Sequence, residues 1–229
     1  MFGSLAAPDF FYFTPMHPFF ALPIAYILGS IPSAVWVAKI YKGIDIREYG
    51  SKNAGLTNVF RVLGWKPALP VIAVDLSKGF FAVFIAKMLN LAEDNSQIYE
   101  WLPITAGLLA IFGHSFTCMA GFRGGKGVLT ALGVFLALQP VLALTCFAFW
   151  GLLFAATKYV SVASIGACAL LAALATLGYV SALLPVYKLD IYVFILSWLV
   201  AVFVIVKHKT NMVRLWNGTE NGFGKKRKI

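Results

Sequence analysis

Four stretches of this 229-residue chain gather the residue types that hold anions: glycines with approachable backbone N–H groups, short polar side chains, and isolated cations. The first, residues 42–64, holds Gly43, Gly50, Gly55 and Gly64 with Ser51, Asn53, Thr57, Asn58 and Arg61. Thr57 or Asn58 is expected to cap a short helix ending at Gly64, with Val59, Phe60, Val62 and Leu63 as its apolar side. Arg61 would reach from that helix, whose N-terminus is a natural anion site. The second, Gly121-Phe-Arg-Gly-Gly-Lys-Gly127, sets Gly124, Gly125 and Gly127 around Lys126 just before an apolar run. That is the logic of a phosphate nest, backbone N–H groups plus an ammonium. It is not a Walker A sequence, because Val128 follows Gly127, so a nucleotide is not indicated.

The third stretch is Asp75-Leu-Ser-Lys78-Gly79, inside an apolar run. Asp75 and Lys78 share a helix face and can pair, as a polar floor under an anion site or as a pair that stabilises only itself. The fourth follows the last apolar run, where His208, Asn211 and Arg214 fall on one helical face. His114, beside Gly113 at the end of a span, reads as a hydrogen-bonded structural residue. Taken singly, the glycine-rich loops and the basic flank also fit solvated loops or tight turns.

The elements that must position these groups are set by composition. Hydrophobic residues make up 60% of the chain and charged residues 12%, against roughly 45–50% and 25% in a soluble domain. Mean hydropathy is +0.82. A soluble enzyme, a disordered chain and a nucleic-acid module are excluded; one integral membrane domain over residues 1–229 is expected. Cys118, Cys146 and Cys168 lie in or beside apolar runs without paired spacing, and read as packing residues rather than disulfides or zinc ligands. The first basic residue is Lys39, so the basic start of a cleavable signal peptide is missing.

A crossing needs about 20 apolar residues. Such runs are expected at about 19–40, 67–89, 101–119, 128–157, 162–180 and 191–206. The 128–157 run would make a helix of about 45 Å against a hydrocarbon core of about 30 Å, and Gln139-Pro140 offers a turn at its middle. Charge favours that division. All but Lys78, Lys87 and Lys188 of the 19 basic residues fall at 39–66, 123–126, 158 and 207–228. Seven spans put these four groups on one side, with Asp9, then Glu93, Asp94 and Glu100, then Asp190 on the other. The expectation is an all-α bundle of seven transmembrane helices, N-terminus outside and C-terminus cytoplasmic, though each half of 128–157 is short for a full crossing. The tail Lys225-Lys226-Arg227-Lys228 reads as a solvated or headgroup-binding end.

Taken in order, these segments resemble the bacterial membrane acyl-phosphate:glycerol-3-phosphate acyltransferases. The resemblance rests on Gly29-Ser30-Ile31-Pro32, Asp45-Ile-Arg47, Gly50-Ser51, Asn53, Gly55, Thr57-Asn58-Val59, Arg61, Leu63-Gly64, Asp75 and Lys78-Gly79. It continues through Gly113-His114, Gly124-Gly-Lys-Gly127, Tyr159-Val-Ser161, Ala163-Ser-Ile165, His208, Asn211, Arg214-Leu215 and Gly218. Three positions depart: Lys52 stands in the usual Ser-Gly-Asn, Thr117 replaces a Pro commonly found after the Gly-His, and Thr210 stands where an acid is common. The soluble-type His-x4-Asp motif is missing.

The resemblance implies a seven-span protein of the bacterial inner membrane with its active site facing the cytoplasm. It implies acyl transfer from acyl phosphate to the 1-hydroxyl of sn-glycerol 3-phosphate, giving lysophosphatidic acid and inorganic phosphate, with no cofactor and no metal. Catalytic roles carry over to Ser51, Lys126, His208 and Asn211. Substrate binding carries over to these and to Asn53, Arg61, Gly124, Gly125 and Gly127, with Ser30, Asn58, Asp75, Lys78 and His114 in support. Both substrates bear phosphate, so the site must offset their repulsion and align a hydroxyl with an already activated carbonyl. The base is open between His208, another polar group and an oxygen of the donor phosphate, the last being favoured. A phosphate-ester transporter and a lipid-binding scaffold are the alternative classes.

Overall fold

The structure, a computed structural model, describes residues 17–91, 99–180 and 189–223. The expectations for Asp9, Glu93, Asp94, Lys188 and the run Lys225 to Lys228 lie outside the described residues. Apart from short 3-10 turns, the regular structure described is α-helical: α1 Ala21–Gly29, α2 Ser33–Lys42, α3 Leu56–Leu63, α4 Trp65–Leu91, α5 Trp101–Ser115, α6 Val128–Leu138, α7 Pro140–Thr157, α8 Val160–Val180, α9 Ile191–Lys207 and α10 Lys209–Trp216.

The apolar runs become helices where expected, and the punctuation acts where its chemistry demands. Gln139 closes α6 by donating its N–H to the Phe135 carbonyl at 2.7 Å, and Pro140 opens α7 at a position that needs no donor. Pro32 breaks the first run into α1 and α2. Five segments are long and apolar enough to cross a bilayer among the described residues: Pro18–Lys42, Trp65–Asn90, Trp101–Ala120, Pro140–Thr157 and Val160–Val180. A sixth appears if α9 and α10, which meet at a 53° bend, are taken together. Of the two halves expected to be short, α6 is short, its 11 residues extending about 16 Å, roughly half a hydrocarbon core, whereas α7, contrary to expectation, is long enough to cross.

Small residues bring the spans together, as they must where lipid supplies no hydrophobic drive between helices. Ala21 and Ala25 of α1, Ala82 and Ala86 of α4, and Ala106 and Ala110 of α5 form one cluster. A Cβ at Gly29 would strike the Ala110 carbonyl. Gly79 and Gly133 mark the crossing of α4 and α6, where added methyls would meet the carbonyl oxygens of Thr130 and Leu76. A second cluster joins α6, α7, α8 and α9 through Phe135, Leu142, Leu171 and Leu196. Outward-facing Leu152 (70% exposed) and Val206 (61%) suit contact with acyl chains rather than water.

Loops separated in sequence meet at one end of this bundle. Arg47, paired with Asp45, donates through Nη1 to the Ala120 carbonyl at 2.7 Å. Arg61 donates to the Asn221 carbonyl at 3.2 Å, Lys126 to the Asn211 side chain, and the Phe223 N–H to the Lys158 carbonyl at 2.8 Å. Members of all four basic groups therefore stand at the same end.

Candidate active site

α3 begins at Gly55 and stops at Gly64, whose φ of +89° ends the helix. Thr57 and Asn58 do not cap it, contrary to expectation. Asn58 lies inside the first turn, fully buried, and folds back across the preceding loop. Its Oδ1 accepts the Ser51 N–H at 2.8 Å, and its Nδ2 lies 2.9–3.1 Å from the carbonyls of Ile46, Tyr49 and Asn53. This cross-link shapes the loop that carries Ser51 and Asn53. Lys52 takes a φ of +59°, so this loop keeps a left-handed turn with a side chain where a glycine would cost less.

The second loop is also corrected. The N–H groups of Gly124 and Gly125 are already committed, at 3.2 and 3.1 Å, to the carbonyls of Ser115 and His114. A Cβ on Gly124 would collide with the His114 carbonyl and one on Gly125 with the His114 ring. These glycines let the loop press on the end of α5; a nest of three free N–H groups does not form. Gly127, at φ +82°, starts α6 without a side-chain cap. The α3 N-terminus also lacks a side-chain cap, and both helix starts open onto the same cavity.

That cavity has a volume of about 880 Å³. Its polar end is lined by Ser51, Asn53, Arg61, Lys126, His208 and Asn211, and Gly127 joins them. Asp75 and His114 reach its wall. Ser30, Asn58 and Lys78 are buried behind it, and Gly124 and Gly125 do not line it. An apolar arm continues between α6, α7 and α8 past Leu132, Phe135, Cys146, Trp150, Cys168 and Leu171. Cys146 and Cys168 are thus buried in the arm, whereas Cys118 is exposed and packs in no core.

Behind the polar end, Asp75 accepts from Ser33 Oγ at 2.7 Å, pairs with Lys78 Nζ at 2.7 Å, and lies 3.5 Å from His114 Nδ1. Lys78 also donates to the Ile31 carbonyl at 3.1 Å. The group ties α4 to the α1–α2 break and to α5. His208 sits at the α9–α10 bend with Nδ1 2.8 Å from the Val204 carbonyl. A carbonyl only accepts, so Nδ1 carries the hydrogen and Nε2 is the nitrogen left for the cavity. Lys126 donates to Asn211 Oδ1. Burial lowers its ammonium to about 8; Glu220 opposes the shift, while Arg214, Arg61 and Lys207 add to it.

The glycerol-3-phosphate acyltransferase family model matches residues 19–218. The chain belongs to that family. A glycerol-3-phosphate acyltransferase from Fusobacterium nucleatum is 47% identical over 204 residues, covering 87% of this chain and 95% of the relative. Among solved structures, PlsY (YgiH), an integral membrane glycerol 3-phosphate acyltransferase, resembles the chain in its glycerol 3-phosphate form with a TM-score of 0.78 and 36% identity, over 90% of this chain and 96% of that one. Its lysophosphatidic acid form gives 0.75 at 36% identity, over 90% and 95%. The protein is a multi-pass membrane member of the acyltransferase family.

Two family departures find a physical account here. Thr117 keeps the turn after α5: its carbonyl accepts the N–H groups of Ala120 and Phe122 at 3.2 and 2.8 Å, and its hydroxyl donates to the Ser30 carbonyl, which a proline could not do. Thr210 lines the cavity, and the carboxylate nearest Asn211 comes instead from Glu220. Sequence reasoning missed Glu220. The signal available was its isolation: it is the single acidic residue after Asp190.

Proposed function

We propose that this acyltransferase-family protein transfers a fatty acyl group from acyl phosphate to the 1-hydroxyl of sn-glycerol 3-phosphate, releasing inorganic phosphate and lysophosphatidic acid. The observation that carries the reading is a single cavity with a cationic, hydrogen-bonding end at Ser51, Asn53, Arg61, Lys126, His208 and Asn211, and a continuous apolar arm. A ligand that bears both phosphate and a long chain fits such a cavity.

In this reading Arg61, Lys126 and the uncapped starts of α3 and α6 offset the repulsion of two phosphates. Ser51, Asn53 and Asn211 orient the glycerol hydroxyl against the acyl carbonyl, and the apolar arm holds the chain. The hydroxyl oxygen forms the new C–O bond as the bond from carbonyl carbon to phosphate oxygen breaks. The hydroxyl proton passes to an oxygen of the departing phosphate, while His208 Nε2 serves as a hydrogen-bonding partner in the pocket. Lys126 stabilises the charge that gathers on the leaving group. Gly124 and Gly125 act through the loop that carries Lys126.

The same reading places one domain in the bacterial inner membrane with seven crossings, the first made by α1 and α2 together and a shortened one by α6. The basic end and the cavity mouth then face the cytoplasm, and the N-terminus faces outward. The test is incubation of purified protein with labelled glycerol 3-phosphate and, side by side, acyl phosphate, acyl-CoA and acyl-carrier protein. Labelled lysolipid with acyl phosphate alone is expected. Product only from a thioester donor would overturn the donor assignment, and liposome uptake without product would point to transport.

A further inference from the structure

Residues 217–223 form a strap from the end of α10 to Lys158, with Glu220 and Asn221 in the cavity lining. The Thr219 N–H donates to the Arg214 carbonyl at 2.8 Å, and the Phe223 N–H to that of Lys158 at 2.8 Å. The Phe223 ring lies 5.3 Å from Phe60 and 5.4 Å from Phe154, with the Arg61 guanidinium 5.9 Å over its face. Between these anchors the strap turns Glu220 inward, its side chain 6% exposed. Oε1 accepts from Ser161 Oγ at 3.0 Å and from Asn211 Nδ2 at 2.6 Å; Oε2 accepts from Arg214 Nε at 2.7 Å. Burial alone would raise this carboxyl, but the three hydrogen bonds outweigh it and hold it below the usual range.

An asparagine side chain has nearly the same outline in either flip, so its bonding partners decide which end points where. With Nδ2 held by Glu220, the Asn211 oxygen must face Lys126, and it accepts from Nζ. The ammonium, which only donates, favours the same flip, so the amide is held from both ends; without an acceptor on the Glu220 side one of the two holds is lost and the amide turns more freely. We propose that Glu220 is a positioning residue for Lys126, acting through the orientation of the Asn211 amide and supplying the anionic member of the series Arg214, Glu220, Asn211, Lys126. The series matters because the other neighbours are mostly cationic. Lys52 and Arg61 reach the cavity from α3 and the loop before it, Lys207 and His208 from α9 and its end, and Lys209 and Arg214 from α10. Asp75 is the other carboxylate in the lining, already paired with Lys78 and His114 on α4 and α5.

This inference rests on the acyl-transfer reading only for its kinetic consequence, so two readouts are needed. Full-length wild type, E220Q and E220A are purified in detergent and compared by elution volume and thermal midpoint. Acetylation of Lys126 by acetic anhydride is followed by mass spectrometry from neutral to alkaline pH. Both variants remove the negative charge, so the Lys126 reactivity midpoint should move to lower pH in both, and further in E220A, which also leaves the Asn211 amide unheld; a strap acting by charge alone would move both equally. In the transfer assay E220A should lose about tenfold or more in kcat, and E220Q, which keeps an acceptor for Asn211, should lose less. An unmoved Lys126 midpoint in a folded E220Q overturns the proposal, whatever the reaction proves to be. Wild-type protein without transfer activity would count against the acyl-transfer reading and leave the Lys126 readout intact. If E220A does not fold, E220Q alone decides.

Discussion

The Asp75 carboxylate and the Lys78 ammonium meet at 2.7 Å inside α4, with side-chain exposures of 3% and 2%. Removing one partner of a buried pair leaves an uncompensated charge and costs about 3–5 kcal/mol. Asp75→Ala should lower the thermal midpoint in detergent more than Lys78→Met, because Asp75 keeps Ser33 and His114 when Lys78 is lost, whereas Lys78 keeps only the Ile31 carbonyl when Asp75 is lost. The double change Asp75→Leu with Lys78→Met should be milder than Asp75→Ala. Equal midpoints for the two single variants would contradict this asymmetry.

A methyl at the α4–α6 crossing has nowhere to go. Gly133→Ala places its Cβ on the Leu76 carbonyl and 3.0 Å from the Phe80 nitrogen, both backbone atoms that cannot rotate away. Overpacking of this kind costs roughly 1–3 kcal/mol. Thermal unfolding should report a lower midpoint, whereas Gly151→Ala, with open space around its Cβ, should leave the midpoint close to wild type.

In the proposed reaction Lys126 should give an alkaline limb. Its ammonium, lowered to about 8 by burial, is charged below that pH and neutral above it. A role in holding phosphate needs the charged form, so kcat/KM should fall as pH rises through about 8. Lys126→Arg keeps its charge across this range. Whatever turnover Lys126→Arg retains should show no such limb, and a limb identical to wild type would assign the titration to another group.

Much of this was legible in the sequence, because the spans and the charges are local signals. Apolar runs gave helices, Pro140 gave a break, and the grouping of Arg61, Lys126, Lys158 and Arg214 foreshadowed four loops at one end. The i, i+3 spacing of Asp75 and Lys78 foretold their contact. What escaped depends on contacts between distant segments. Gly124 and Gly125 look like a phosphate nest until His114 is seen against them. Asn58 looks like a helix cap until its amide is seen bonding the loop before it. Glu220 looks like part of a solvated tail until the strap folds back on Arg214. The short α6 was foreshadowed by the division of the 128–157 run, but the position of Gln139-Pro140 leaves α7 the larger share and enough length to cross.

The role given to Lys126 can be judged from one variant. Turnover of labelled glycerol 3-phosphate by Lys126→Ala is compared with wild type, at matched elution volume and thermal midpoint in detergent. Removing a donor aimed at the charge that develops on the leaving phosphate should reduce transfer by at least about a hundredfold. A folded Lys126→Ala protein with near-normal turnover would contradict the account.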